Sequence, residues 1–296
     1  MLARWLFASA HPQAVAAFRM VLALALLLAF TPHADLGADI RQHPRLVELY
    51  EQVFLTRWYW WGRLVPLGLL ALGWWPRAMG VLLLALLFPL DLLSGYRESR
   101  QVMLMALLAF CFMRSDATWS VRALRRPVVL VNAGPMWPIR LIQLQLSLVY
   151  GVNALAKLTP QYLSGDVLQG FSKVLPNFVA DVSQGMLHLG PLAIPVWLGA
   201  VASVAVELAL AIGFWVPRLR WTTAALGVTF HVGLKWIIRI GLLDYASMFL
   251  YLAFLLPFGP RPARTATAPQ RREACTPQRV SLCKTHSPSS AVNTSA

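Results

Sequence analysis

The sequence predicts an all-α integral membrane protein, a bundle of about eight transmembrane helices around an outward-facing polar cavity. Three observations predict it. Of the 296 residues, 58% are hydrophobic and 13% are charged, about half the charged share of a soluble domain. Apolar runs of membrane-crossing length recur from residue 14 to residue 258 with no room between them for a soluble domain. Ionisable residues enter these runs rarely, and in one run they recur at helical spacing with other polar groups, which is costly in lipid without a partner or a task.

The apolar segments fall at about 14–30, 58–75, 78–94, 100–114, 137–157, 193–215, 220–238 and 241–258. Arg19 interrupts the first, and no small-residue cleavage pattern follows in AFTPHADLG, so it is expected to remain as a helix and not to be a cleaved signal peptide. The second is framed by RWYWW at 57–61 and WW at 74–75, aromatic belts about 27 Å apart at the helical rise. The fourth, between Arg100 and Arg114, is short for a span, which leaves seven crossings as the alternative count. Asp91 and Glu98, with Arg97 and Arg100, surround the turn between the third and fourth segments and read as a surface charge cluster.

Residues 259–296 are rich in Pro, Ser, Thr and Arg and read as a disordered basic tail after a transmembrane domain over 1–258. The net charge of +14 does not point to nucleic acid, because the 26 Lys and Arg are mostly scattered singly between apolar runs. Alternating the loops puts Arg4, Arg77, Arg114, Arg122, Arg125, Arg126, Arg218, Arg220 and the tail on one side. The positive-inside rule makes that side cytoplasmic, with both termini inside a multi-pass cell membrane. The Ala-, Leu- and Arg-rich usage suggests a bacterium, hence its inner membrane. Cys111, Cys275 and Cys283 match neither a disulfide framework nor a metal site, so no metal is expected. Phosphate-loop, nucleophile-elbow and His-Glu-x-x-His patterns are absent from the sequence, and no repeat between its halves suggests a transporter.

The candidate chemistry lies in three segments. In the fifth, Arg140, Gln143, Ser147, Tyr150, Ala154 and Lys157 follow one another at three- and four-residue steps along one side of a helix, with Asn153 beside them. Such a stripe is either glue between helices or the wall of a polar cavity. Lys157, near the helix end, could also snorkel to the outer surface. Glu207, deep in the sixth segment, requires a partner or a proton. In the seventh, Thr223, Gly227, His231 and Lys235 share a side, and His231 is either a hydrogen-bonded core residue or a proton carrier.

Several stretches in this order resemble the HTTM (horizontally transferred transmembrane) domain family, which includes the vitamin K-dependent gamma-glutamyl carboxylase. They are FRMVLAL at 18–24, LLAFCFMRSDATWSV at 107–121, RLIQLQLSLVYGVNALAKLTPQYLSGDVL at 140–168, ELALAIGFWVPRLRW at 207–221 and TFHVGLKWIIRIGLLDY at 229–245. The Ala-x-Lys-Leu step before an aromatic-x-x-Gly is the most specific of them. The resemblance implies that Lys157 matches the lysine base that deprotonates vitamin K hydroquinone. It also implies that His231 and Glu207 line the site opposite that lysine. The chain departs from the carboxylase at Ser99, Arg100 and Gln101, where an Asn-His pair opens the helix, and in the short tail that follows residue 258.

Two readings follow. One is a membrane redox enzyme, a quinol-linked oxidoreductase, epoxidase or carboxylase-like lyase. Its catalytic residues would be Lys157 and His231, with Gln143, Tyr150, Asn153 and Glu207 binding a reduced quinone of the vitamin K type. Its partners would be the lipid bilayer, the quinol and a secreted or periplasmic peptide substrate. The other is a non-catalytic membrane partner or lipid-binding protein in which the same polar groups hold helices together.

Overall fold

The computed structural model describes residues 2–30, 43–54, 56–93, 98–124, 133–174, 178, 180–189, 192–237 and 248–257. Of these, Glu98, Leu189, Lys235 and Trp236 are described by backbone alone. All belong to one unit, Met1–Pro260; a second unit, Arg261–Ala296, holds the expected basic tail and lies outside the described residues.

The protein is mostly helical. A short α1 (Leu2–Phe7) precedes α2 (Pro12–Ala29), which opens on a proline at its first position, where the missing N–H costs nothing. Helix α3 (Pro44–Phe54) leads to α4 (Arg57–Leu72), whose start is capped by the Thr56 hydroxyl accepting from the Tyr59 N–H. Gly73, at φ 70°, ends α4 in the left-handed conformation. Then come α5 (Pro76–Leu93), α6 (Glu98–Phe110), α7 (Val121–Leu124), α8 (Trp137–Ala156), α9 (Pro160–Leu163) and α10 (Asp166–Val174). Three strands, β1 (Asp181–Ser183), β2 (Met186–Leu189) and β3 (Leu192–Pro195), precede α11 (Val196–Gly213), α12 (Arg220–Ile237) and α13 (Leu252–Leu255).

Among the described residues four helices, α2, α5, α8 and α11, are long and apolar enough to cross a membrane. Helix α6 is apolar but has 13 residues, about 20 Å against a hydrocarbon core of about 30 Å. The sequence placed this segment at 100–114; the helix ends at Phe110, and the Arg114 N–H is committed to the Ala133 carbonyl instead. Of the expected last crossing, 241–258, residues 241–247 and 258 lie outside the described residues.

Packing follows the apolar faces. Helix α2 lies against α4 and α6, α5 joins α4 and α6, α8 joins α6 to α11, and α12 packs on α11. The core between them includes Phe18, Leu22, Leu26, Leu83, Leu107, Phe110, Leu146 and Leu210. Arg19, fully buried, ties three chain segments together by donating to the carbonyls of Ala71, Ser115 and Trp119.

Three features depart from the sequence reading. The fold is not purely α, because β1, β2 and β3 form an antiparallel sheet in order, with Val182 opposite Leu187 and His188 opposite Ala193. Its first turn is Gln184-Gly185, both at positive φ (51° and 75°), the two-residue geometry that matches the twist of paired strands. In the expected 31–57 loop, α3 turns Tyr50 and Phe54 inward and leaves Leu49 and Val53 exposed. Asp91 and Arg100 are not on the surface: they are 6% and 2% exposed.

Candidate functional site

Helix α8 ends at Lys157, whose N–H still reaches the Asn153 and Ala154 carbonyls. The chain then turns through Thr159, whose hydroxyl caps α9 by accepting from the Tyr162 N–H. This brings Lys157 back over α11. Its Nζ lies 2.5 Å from Glu207 Oε1, and the two side chains are 30% and 7% exposed. Glu207 thus has the partner its burial requires, and Lys157 is held in place by a charge.

A second rung stands one helical turn away on α11, where Ser203 precedes Glu207 by four residues. The Tyr162 hydroxyl is 2.9 Å from Ser203 Oγ, which itself donates to the Ala200 carbonyl. That bond fixes the Tyr162 ring, whose centroid is 5.7 Å from Lys157 Nζ. Ala154, Tyr162, Ala200 and Val204 form an apolar cluster here, edged by Leu163, Val167, Leu168 and Leu208. Gly165, at φ 89°, allows the close approach: a Cβ there would meet Val196 Cγ1 at 2.8 Å.

About 10 Å further along α8, the Tyr150 hydroxyl lies 3.0 Å from His231 Nε2 and 2.6 Å from the Tyr251 hydroxyl. Gly227, one turn before His231 on α12, makes room for Tyr251, whose hydroxyl a Cβ there would meet at 2.7 Å. Beyond that the hydrogen-bond partners are indole, amide and carbonyl groups. Trp215 Nε1 donates to Ser147 Oγ at 2.7 Å, Gln143 Nε2 donates to the Ala253 carbonyl at 2.6 Å, and Arg140 Nη1 donates to Gln143 Oε1 at 2.9 Å. The stripe read from sequence therefore has two parts. Its Arg140–Ser147 portion bonds to carbonyl, amide and indole partners, and its Tyr150–Lys157 portion meets a phenol, an imidazole and a carboxylate.

The structure brings Lys157 together with Glu207 and Tyr150 together with His231. Asn153 lies half-buried one turn before Lys157 on α8. Gln143 sits about 21 Å from Lys157 along the helix axis. Sequence reasoning did not single out Tyr251 or Ser203, and it met Tyr162 only as the aromatic of a family step. The side chain of Lys235 lies outside the described residues. Among the described residues no group of three His, Cys, Asp or Glu side chains could hold a metal ion.

No match is found among the curated proteins, and none among the solved structures. The family model described as the HTTM domain matches residues 46–257, well over half of the chain and all of α8, α11 and α12. The chain belongs to the HTTM family, and is thereby a membrane protein of the vitamin K-dependent carboxylase-like kind.

Proposed function

We propose that this protein binds and oxidises a lipid quinol, or a similar flat apolar hydroxyl compound, with Lys157 as the base. The observation that carries the reading is the Lys157–Glu207 pair, a 2.5 Å contact set beside the Tyr162 ring and an apolar wall. The residues present fit a reduced quinone. Ala154, Val204, Leu208 and the Tyr162 ring suit a flat hydrocarbon body, and the amine and carboxylate suit a phenolic hydroxyl.

A quinol, when bound, would give up four electrons to oxygen, one oxygen atom ending in its epoxide and the other in water. The chain handles protons. Glu207 holds Lys157 Nζ in one position and is the group placed to accept its ammonium proton, which leaves an amine able to act as a base. The neutral amine then takes the proton of the substrate hydroxyl. Tyr162, pinned by Ser203, sets its ring 5.7 Å from the ammonium on one side. Tyr150, Asn153 and His231 shape the next turn inward, and Gln143 holds α8 in register against residue 253.

In this reading the chain crosses a bacterial inner membrane about eight times, with both termini cytoplasmic and Lys157 at the outer face. Its support is the loop charge asymmetry and the exposed Trp58 and Trp61 at one end of α4, with Trp74 and Trp75 past the other. A secreted or periplasmic peptide is the acceptor class suggested by likeness to the carboxylase.

The test is oxygen uptake by the purified protein in lipid nanodiscs with reduced naphthoquinones and benzoquinones. Wild type should consume oxygen above the folded Lys157→Ala variant. Equal uptake by the two would refute the assignment of Lys157. One observation favours a second reading, a non-catalytic membrane partner: Gln143, Ser147, Tyr150 and Lys157 all bond to other segments of the bundle, as interhelical glue would. On that reading a folded Lys157→Met protein, which keeps the side-chain length and lacks the charge, preserves function.

A further inference from the structure

Of the charge cluster expected on the surface at Asp91, Arg97, Glu98 and Arg100, Asp91 and Arg100 are buried, Arg97 and the Glu98 side chain lie outside the described residues, and a residue from a third helix, Arg63, lies beside Arg100. Arg63, on α4, and Arg100, on α6, are each 2% exposed. They converge on the last carbonyls of α2: Arg63 Nη1 donates to the Phe30 carbonyl and Arg100 Nε to the Ala29 carbonyl. Two cations at a helix C-terminus offset its partial negative charge, and this accounts for one donor of each guanidinium.

It does not account for the rest of Arg63. Its guanidinium carbon lies 3.5 Å over the Trp60 ring, so one face is sealed. Its Nε is buried and has no hydrogen-bond partner. Its titratable neighbours among the described residues are the Tyr59 phenol and Arg100, a second cation. A carboxylate, Asp91, 6% exposed, is instead a neighbour of Arg100, and its Oδ1 also lacks a hydrogen-bond partner. A buried guanidinium beside a like charge with a bare N–H is expensive in or near a membrane. Nε lies on the side edge of the guanidinium, the edge that grips two oxygens of a carboxylate or phosphate at once.

We propose that Arg63, supported by Arg100 and Asp91, forms a binding site for a small oxyanion of the phosphate or carboxylate type, on helices other than those that carry Lys157. The bare Nε is the anchoring donor, the Trp60 ring orients the guanidinium, and Asp91 Oδ1 accepts from an oxyanion that keeps one proton, such as dihydrogen phosphate. The same oxygens could arrive free or on a lipid headgroup, since Trp58 and Trp61, exposed on the same helix, mark the interfacial depth one turn away.

The test is thermal unfolding of the full chain, followed by tryptophan fluorescence in phosphatidylcholine nanodiscs. Sodium phosphate and sodium acetate are titrated against sodium chloride at matched ionic strength. A parallel arm uses phosphatidylglycerol discs without added phosphate. Wild type should show a saturable rise in Tm with phosphate or acetate beyond that with chloride. Arg63→Lys keeps the charge but not the forked edge, and should need roughly tenfold more anion for the same rise. Lys157→Ala should respond as wild type does, which separates this site from the proposed catalytic one. Stabilisation by phosphatidylglycerol alone, lost in Arg63→Lys, would assign the oxyanion to a lipid headgroup at this same site. Wild type that melts alike in every anion and both lipids would overturn the proposal without reference to any variant. So would an Arg63→Lys protein that keeps the full response.

Discussion

Breaking the Lys157–Glu207 pair from its two ends should have unequal consequences. The Glu207 side chain is 7% exposed and that of Lys157 is 30% exposed. Lys157→Met leaves a buried carboxylate without its ammonium partner, the situation that costs about 3–5 kcal/mol when a buried pair loses one member. Lys157 lies at a helix end, so in Glu207→Gln its ammonium can turn toward water along its four-carbon stem. That loss should be closer to about 1–2 kcal/mol, the net worth of a charged hydrogen bond. In the double variant Lys157→Met/Glu207→Leu no charge is left buried, so its stability should return to within about 1 kcal/mol of wild type. The assay is a double-mutant cycle in mixed detergent micelles, unfolding with sodium dodecyl sulfate and following tryptophan fluorescence. Equal single losses that add in the double variant would refute the reasoning, because they would mean the two side chains do not feel each other.

Gly227→Ala drives a methyl group to 2.7 Å from the Tyr251 hydroxyl and should cost about 1–3 kcal/mol of stability in the same unfolding assay. Tyr251→Phe removes one partner of the buried Tyr150 hydroxyl while His231 Nε2 remains, so it should cost about 1 kcal/mol; a loss as large as for Gly227→Ala would show that Tyr251 holds more than this bond. Gly165→Ala sets a side chain at φ 89° against Val196 and should cost about 1–3 kcal/mol. Limited proteolysis of that variant should begin in α9 or α10, and a wild-type cleavage pattern would contradict the role given to Gly165.

The helices were legible because each long apolar segment imposes its own periodicity and length. Expected starts and ends at 58–75, 78–94, 137–157 and 220–238 fall within a few residues of α4, α5, α8 and α12. The short sheet was not, although Gln184-Gly185 between MLHL and DVS was a usable hairpin signal. A loop between apolar runs gives no periodicity strong enough to compete with the membrane pattern. Asp91 and Arg100 read from sequence as surface residues because charged side chains normally are exposed. Arg100 is buried against the Ala29 carbonyl at the end of α2, 71 residues away in sequence, and beside Asp91, neighbours that no local pattern joins.

The site was legible by residue more than by pairing. Lys157 and Glu207 stood out as ionisable groups in apolar runs, yet nothing in sequence joins positions 50 apart on two segments. The stripe on α8 was legible as a stripe, but not that its Arg140–Ser147 half bonds to Trp215 and to the Ala253 carbonyl while its Tyr150–Lys157 half meets an imidazole and a carboxylate. Tyr251 gave no signal, because its neighbours in sequence are as aromatic and aliphatic as the rest of the last apolar segment.

The central claim is that Lys157 activates a quinol for reaction with oxygen. The most direct test is mass spectrometry of the quinone products formed in nanodiscs under isotopically labelled oxygen, with wild type and folded Lys157→Met side by side. The account predicts a labelled epoxide from wild type and none above background from the variant. Equal labelled epoxide from both, or none from either with every quinol supplied, would contradict it.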